Sequence, residues 1–200
     1  MIKALVFDVG GVLHSYDSDK RKAYLAGSLG VDINVMQKFW KDQELRLFEL
    51  GKISEKQLWQ QAHDRYGTRM VGDDEDLFGK SFEKVIKVDN EMTSLVKSLR
   101  GGRYKLAVLS NTCGPDAKVN APILSLFDQA FLSCRIGYKK PAREVYEYAF
   151  GKLGVQPDEA VMIDDRDDNV AGAKYIGMQA IKFEGVDRLC QELAKLGVKW

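Results

Sequence analysis

No stretch of this 200-residue chain is apolar for long enough to cross a bilayer, so a membrane-spanning segment is not expected. Neither charge is in excess, with 30 basic residues facing 29 acidic ones. A nucleic-acid footprint needs a basic surplus gathered on one face, so that class of partner is not expected either. The cysteines, Cys113, Cys134 and Cys190, are odd in number and lack metal-ligand spacing. That speaks against a disulfide framework and a zinc site, and the three read as reduced thiols. The opening apolar run stops at Asp8, too short for a secretory core and with no small-residue cleavage site behind it. Internal repeats and low-complexity tracts are also missing. The expectation is a soluble cytoplasmic chain, long enough for one generous domain or for a core with a modest second lobe.

Four short apolar runs stand out: Ile2–Phe7, Lys105–Leu109, Ala160–Ile163 and Met178–Ile181. They are near-continuous rather than alternating, as strands of a parallel sheet covered on both faces are. Helical patterns follow them. Met92, Leu95, Val96 and Leu99 repeat at i, i+3, i+4 and i+7, and so do Val186, Leu189, Cys190 and Leu193. Val145, Ala149, Phe150 and Leu153 mark another helix. This alternation predicts βαβ units and a doubly wound parallel α/β sheet. Residues 15–87 break the rhythm, with helical stretches and no convincing strand. One helix opens on Ser54-Glu55-Lys56-Gln57, a capping-box pattern. Residues 15–87 are therefore expected to form a small helical lobe inserted into a core made of 1–14 and 88–200. The acidic run Gly72–Asp76 reads as a solvated helix start, and Trp200 as packed or frayed.

Parallel strands deliver their C-terminal ends to one sheet edge, where open α/β folds bind ligands. Three of the runs end there in polar residues: Asp8, Ser110-Asn111 and Asp164-Asp165. Lys140 adds a cation from a loop before Pro141. Carboxylates from two strand ends can share a hard cation such as Mg²⁺. A hydroxyl, an amide and a lysine beside it supply donors for phosphate oxygens, and the backbone of Gly10 and Gly11 permits close approach. A carboxylate attacking phosphorus forms an aspartyl phosphate that water then hydrolyses.

Four ordered segments resemble the four motifs of the haloacid dehalogenase superfamily. They are Phe7-Asp8-Val9-Gly10-Gly11-Val12-Leu13, Leu109-Ser110-Asn111-Thr112, Gly137-Tyr138-Lys139-Lys140-Pro141, and Ile163 through Ala173 with Asp164-Asp165 near its head. Phe48-Glu49-Leu50-Gly51-Lys52-Ile53-Ser54 resembles cap segments of the subgroup that includes sugar-phosphate phosphatases. The resemblance implies a Mg²⁺-dependent phosphatase for a small phosphorylated metabolite, a sugar phosphate among the candidates, acting as a monomer or homodimer. By the same resemblance Asp8 is nucleophile and metal ligand, joined by the Gly10 carbonyl and Asp165. Asp164 stands behind, steadying Lys140 or a metal-bound water. Ser110 and Asn111 hold the phosphoryl group, and Lys140 neutralises charge on it.

One position departs from that pattern. The family's usual acid/base aspartate, two residues after the nucleophile, is here Gly10, and losing such a group typically costs on the order of 10²–10⁴-fold in rate. A good leaving group, a substitute acid among His14, Tyr16 and Asp17, or a silent phosphate-binding module are the alternatives. A 2-haloacid dehalogenase fits less well, since it leaves Asp164 and Asp165 crowding the nucleophile without a cation. His14 otherwise reads as a hydrogen-bonded loop residue and His63 as a surface or partly buried helix residue. Trp40, Phe48 and Trp59 read as core of the inserted lobe.

Overall fold

The computed structural model describes residues 1–72 and 75–199. Asp73, Asp74 and Trp200 lie outside the described residues, and with them the expectation for Trp200 and part of that for the acidic run. In chain order the elements are β1 (Ala4–Phe7), β2 (His14–Tyr16), α1 (Ser18–Leu29), α2 (Ile33–Phe39), α3 (Gln43–Glu49), α4 (Glu55–Tyr66), α5 (Leu77–Glu83), β3 (Ile86–Val88) and α6 (Asn90–Leu99). Then follow β4 (Lys105–Ser110), α7 (Gly114–Val119), α8 (Ala121–Leu124), β5 (Gln129–Leu132), α9 (Ser133–Ile136) and α10 (Arg143–Leu153). The chain continues through β6 (Ala160–Asp164), α11 (Asp167–Tyr175), β7 (Gln179–Lys182) and α12 (Val186–Lys195).

Five strands form a parallel sheet in the order β5-β4-β1-β6-β7. Successive side chains of a strand point to opposite faces. Leu5 and Phe7 join Leu106, Val108, Val161 and Ile163 on one face, under Met92, Leu95 and Val96 of α6 and Leu189 and Leu193 of α12. Ala4 and Val6 join Ala107, Leu109, Ala160 and Met162 on the other, under Val145, Ala149 and Phe150 of α10 and Ala173 of α11. Both faces are covered, which is why these runs are apolar without a break. The doubly wound α/β fold is as the sequence predicts.

Two features depart from the expectation. The sheet has a fifth strand, β5, whose Ala130-Phe131-Leu132 is too short to stand out from the apolar residues before it. The insert is also bounded by strands: β2 and β3 pair antiparallel, His14 opposite Val88 and Tyr16 opposite Ile86. Three-residue strands carry no alternation to read.

Between β2 and β3 lie α1 to α5, with a core of their own built from Leu25, Leu29, Met36, Phe39, Leu58, Trp59 and Phe78. Phe48 and Trp59 are buried in it, and Trp40 packs against it. The Ser54 box forms as expected: Ser54 Oγ accepts from the Gln57 N–H, and Gln57 Oε1 accepts from the Ser54 N–H. Asp76, at the end of the acidic run, caps α5 by accepting from the Gly79 N–H. No helix among the described residues is long and apolar enough to cross a membrane.

Candidate active site

β1 is hydrogen-bonded between β4 and β6, with Phe7 in register with Val108 and Ile163. Asp8 leaves the end of β1, Ser110 closes β4, and Asp164 closes β6 with Asp165 beyond it. Three polar strand ends therefore meet at one edge. Asp8 is buried, and its Oδ1 accepts from the Val9 N–H at 2.7 Å and lies 2.9 Å from Lys140 Nζ. The same Nζ is 2.6 Å from Asp164 Oδ2. Asp164 also accepts from the Arg166 N–H at 2.9 Å and from Asn169 Nδ2 at 2.9 and 3.1 Å. Protein donors thus hold Asp164, while Asp165, half-buried, has no ion-pair partner among the described residues.

Carboxylate oxygens of Asp8, Asp164 and Asp165 lie within 4.8 Å of one another. Three carboxylates face one buried ammonium, so negative charge is in excess. Burial pushes the Asp8 carboxyl above its ordinary range, with Lys140 opposing and Asp164 adding to the rise. Asp165 is raised as well, by burial first and then by the Asp164 charge. A hard divalent cation relieves such a cluster, and Asp8, Asp165 and the Gly10 carbonyl offer oxygens for one. That carbonyl accepts no hydrogen bond among the described residues. The donor set fits Mg²⁺.

The loops are shaped around this cluster. Gly11 has φ +77°, and a Cβ built on it would fall 2.2 Å from Asp165 Oδ2, so only glycine lets the turn lie against that carboxylate. Asn111 grips the loop that carries Lys140: its Nδ2 donates to the Lys140 carbonyl at 2.9 Å, and its Oδ1 accepts from the Lys140 N–H at 2.8 Å. Its side chain therefore sets the lysine's position and keeps one amide proton for a ligand.

Gly10 leaves an ordinary gap. A Cβ there would lie 3.7 Å from the Tyr16 ring and 3.9 Å from that of His14. Asp17 is no part of this surface, being exposed and accepting from the N–H groups of Asp19 and Lys20 as the cap of α1. His14 is a correction. It is not a hydrogen-bonded loop residue but lies on β2, 3% exposed, with neither ring nitrogen partnered among the described residues. Its ring stands edge-on to Phe82, and burial brings its pKa down to about 4. His63 is half-buried on α4 with Nδ1 against the Thr68 carbonyl.

Above the cluster is a cleft of about 490 Å³ lined by Asp8, Gly10, Gly11, Ser110, Lys140 and Asp165, with Tyr16 and Glu49 facing them from the helical side. Glu49 is ion-paired with Lys139 at 2.5 Å, and its carbonyl accepts from Ser133 Oγ at 2.7 Å. A smaller chamber of about 100 Å³ adjoins it around Gly10, Ser110 and Asn111 and runs on to His14, Arg21, Asp116 and Asn120. There the Arg21 guanidinium grips the Asp116 carboxylate with two bonds, of 2.8 and 2.6 Å. Sequence reasoning had singled out neither Arg21 nor Asp116. They are 95 residues apart, and no local pattern joins them.

The sequence profile of haloacid dehalogenase-like hydrolases matches residues 2–177. The chain is 27% identical over 197 residues to a sesquiterpene phosphatase of Aspergillus oryzae, spanning 97% of this chain and 96% of that protein. It is 27% identical over 203 residues to a D-ribitol-5-phosphate phosphatase of Bacteroides thetaiotaomicron, spanning 96% and 97%. Among solved structures it resembles a haloacid dehalogenase family enzyme of Bacteroides thetaiotaomicron in complex with magnesium and inorganic phosphate, with a TM-score of 0.82 and 23% identity over 94% of this chain and 99% of that one. The ordered motifs, the parallel sheet that gathers them and a profile match over most of the length agree, and the chain belongs to the haloacid dehalogenase-like hydrolases.

Proposed function

We propose that this hydrolase is a Mg²⁺-dependent phosphomonoesterase that acts on a small phosphorylated metabolite through an aspartyl phosphate on Asp8. One observation carries the reading: Lys140 Nζ is shared between Asp8 and Asp164, and carboxylate oxygens of Asp8, Asp164 and Asp165 lie within 4.8 Å of one another, close enough to share a cation beside the nucleophile. When bound, Mg²⁺ supplies charge neutralisation at the phosphoryl oxygens. Asp8 attacks phosphorus as the bond to the leaving alcohol oxygen breaks, that oxygen taking its proton from water, and water then hydrolyses the aspartyl phosphate to free Asp8 and inorganic phosphate. Lys140 offsets charge on the transferring group, and Ser110 and the Gly10 N–H donate to its oxygens, while the Gly11 N–H is held by the His14 carbonyl at 2.7 Å and holds the turn instead. Asp164 acts through Lys140, and Asn111 through the loop that carries it. The stretch 15–87 serves as the cap that closes the cleft. Phosphatase relatives spanning nearly the whole chain, and a fold neighbour solved with magnesium and phosphate, support this reading.

The test is phosphate release from an aryl phosphate in the presence of Mg²⁺. Asp8→Asn is expected to reduce it at least ~10³-fold, and chelation to abolish it until Mg²⁺ is restored. Activity that survives either treatment overturns the mechanism. Gly10 favours a second reading, a phosphate-binding module without turnover. It predicts thermal stabilisation by phosphorylated metabolites and no phosphate release from any of them.

A further inference from the structure

The inner chamber holds polar groups that nothing in the fold satisfies. Both ring nitrogens of His14 and the Oδ1 of Asn120 are buried without a partner among the described residues, and both residues line this one space. They are 3% and 5% exposed. Buried polar atoms in native proteins are nearly always paired, with protein, water or ligand. The chamber's charged groups, by contrast, are already paired, Glu49 with Lys139 and Arg21 with Asp116. Arg21 is bonded through both terminal nitrogens to Asp116, and its Nε donates to Ser81 Oγ at 3.0 Å. A charged ligand group entering here would meet no free counter-charge and would lose its hydration.

We propose that this chamber is the subsite for an uncharged, hydroxyl-bearing portion of the leaving alcohol, read by the His14 imidazole and the Asn120 amide oxygen. The assignment rests on the phosphatase reading above and narrows its substrate class. A neutral imidazole offers one donor and one acceptor, and the amide oxygen is an acceptor. Hydroxyl groups, each both donor and acceptor, complement that set; a methyl or methylene does not. The chamber, at about 100 Å³, is small beside the 490 Å³ cleft it opens from, so it takes a short hydroxylated segment rather than a long chain or a fused ring. It adjoins the reaction cleft at Gly10, Ser110 and Asn111, so a group seated in it stays joined to phosphorus beside Asp8. Gly10 lines both spaces, and a Cβ there would lie 3.7 Å from the Tyr16 ring and 3.9 Å from that of His14, so this position faces the readers of the chamber.

The experiment compares kcat/KM for glycerol 1-phosphate and propyl phosphate, which differ only in hydroxyl groups, with an aryl phosphate as reference. Wild type is expected to favour glycerol 1-phosphate at least tenfold. His14→Phe and Asn120→Leu are each expected to cut that preference to below threefold, mainly through KM, and His14→Gln to recover part of it. Neither apolar variant is expected to lower Tm, since each removes an unpartnered polar group. No preference in wild type, or a preference that both variants keep, overturns the assignment. So does a fall in Tm with equal losses on both substrates, which marks groups satisfied by structural water. A nitrogen-15 spectrum of the imidazoles in the Asp8→Asn protein gives an arm free of turnover. The His14 signals should move with glycerol 1-phosphate and stay with propyl phosphate. If the aryl phosphate is not hydrolysed, the phosphatase reading fails, while the spectrum still judges the chamber.

Discussion

Gly10 and Gly11 are adjacent and identical in kind, yet the surroundings give them opposite tolerances. At Gly10 an added Cβ meets only ordinary contacts, so Gly10→Asp should fold and place a carboxylate beside the leaving group. Turnover of a plain alkyl phosphate, which needs its leaving oxygen protonated, is expected to rise about 10–100-fold, read as phosphate release. Gly11→Ala meets Asp165 and a left-handed backbone together. It should cost more than about 1 kcal/mol in denaturant unfolding and at least ~10-fold in activity. His14 carries a pH signature. Its pKa is lowered from 6.5 to about 4, so below pH 6.5 the unfolded chain takes up a proton that the folded one refuses. Stability is then lost progressively as pH falls from 6.5 to about 4, by at most roughly 3 kcal/mol, and is insensitive to this residue above that window. Urea unfolding of wild type and His14→Phe at pH 7.5 and 4.5 checks it, the variant lacking this share of the acid loss.

At the scale of elements, the join between the inserted helices and the sheet domain is chemically specific. α1 contributes Arg21, stacked over Phe78 at 4.3 Å, and α7 contributes Asp116, bonded to it. Arg21→Met leaves a buried carboxylate without its cation and should cost about 3–5 kcal/mol, whereas Arg21→Met with Asp116→Leu should recover most of that loss. A double-mutant cycle in guanidinium measures the coupling. Pairings of this kind mark where reading the sequence stops. β1, β4 and β6 were legible because a covered parallel strand is apolar throughout and ends abruptly at a polar residue. The single rule that such ends share an edge brought Asp8, Ser110 and Asp164 into one site. β5 was hidden because three apolar residues fit a helix as well as a strand, and β2 and β3 because they are too short to alternate. Arg21 and Asp116 carried no signal, since what joins them is the packing of a helix on a domain 95 residues away. Asn111 stood out after the end of β4, but its grip on the Lys140 backbone depends on how two loops lie.

Across the whole molecule, a formal net charge of only +1 coexists with a local pocket of three carboxylates against one lysine. The molecule's overall charge gives no warning of that pocket, and Mg²⁺ should stabilise the fold by relieving it. At a hundred times its dissociation constant a ligand adds about 2.7 kcal/mol, which for a domain of this size is roughly 5–10 °C in Tm. A thermal melt with Mg²⁺ should show that rise, and Asp165→Asn should abolish it. The same melt with Ca²⁺ separates a site fitted to the smaller ion from a general sink for positive charge.

The β2–β3 ribbon makes the inserted helices a modular attachment. Because the excursion through five helices departs and returns on two hydrogen-bonded strands, its ends already lie side by side, and the sheet domain hardly registers how much chain hangs between them. Such an attachment can be lengthened, shortened or exchanged for another without refitting the catalytic edge. Exchange would not be neutral for selectivity, however, because His14 opens the ribbon and Asn120 belongs to the sheet domain. A graft made at Ser15 would carry new walls into the chamber yet inherit the old hydroxyl readers. Chimaeras cut on either side of His14 should therefore differ in what they accept, even with the same transplanted helices.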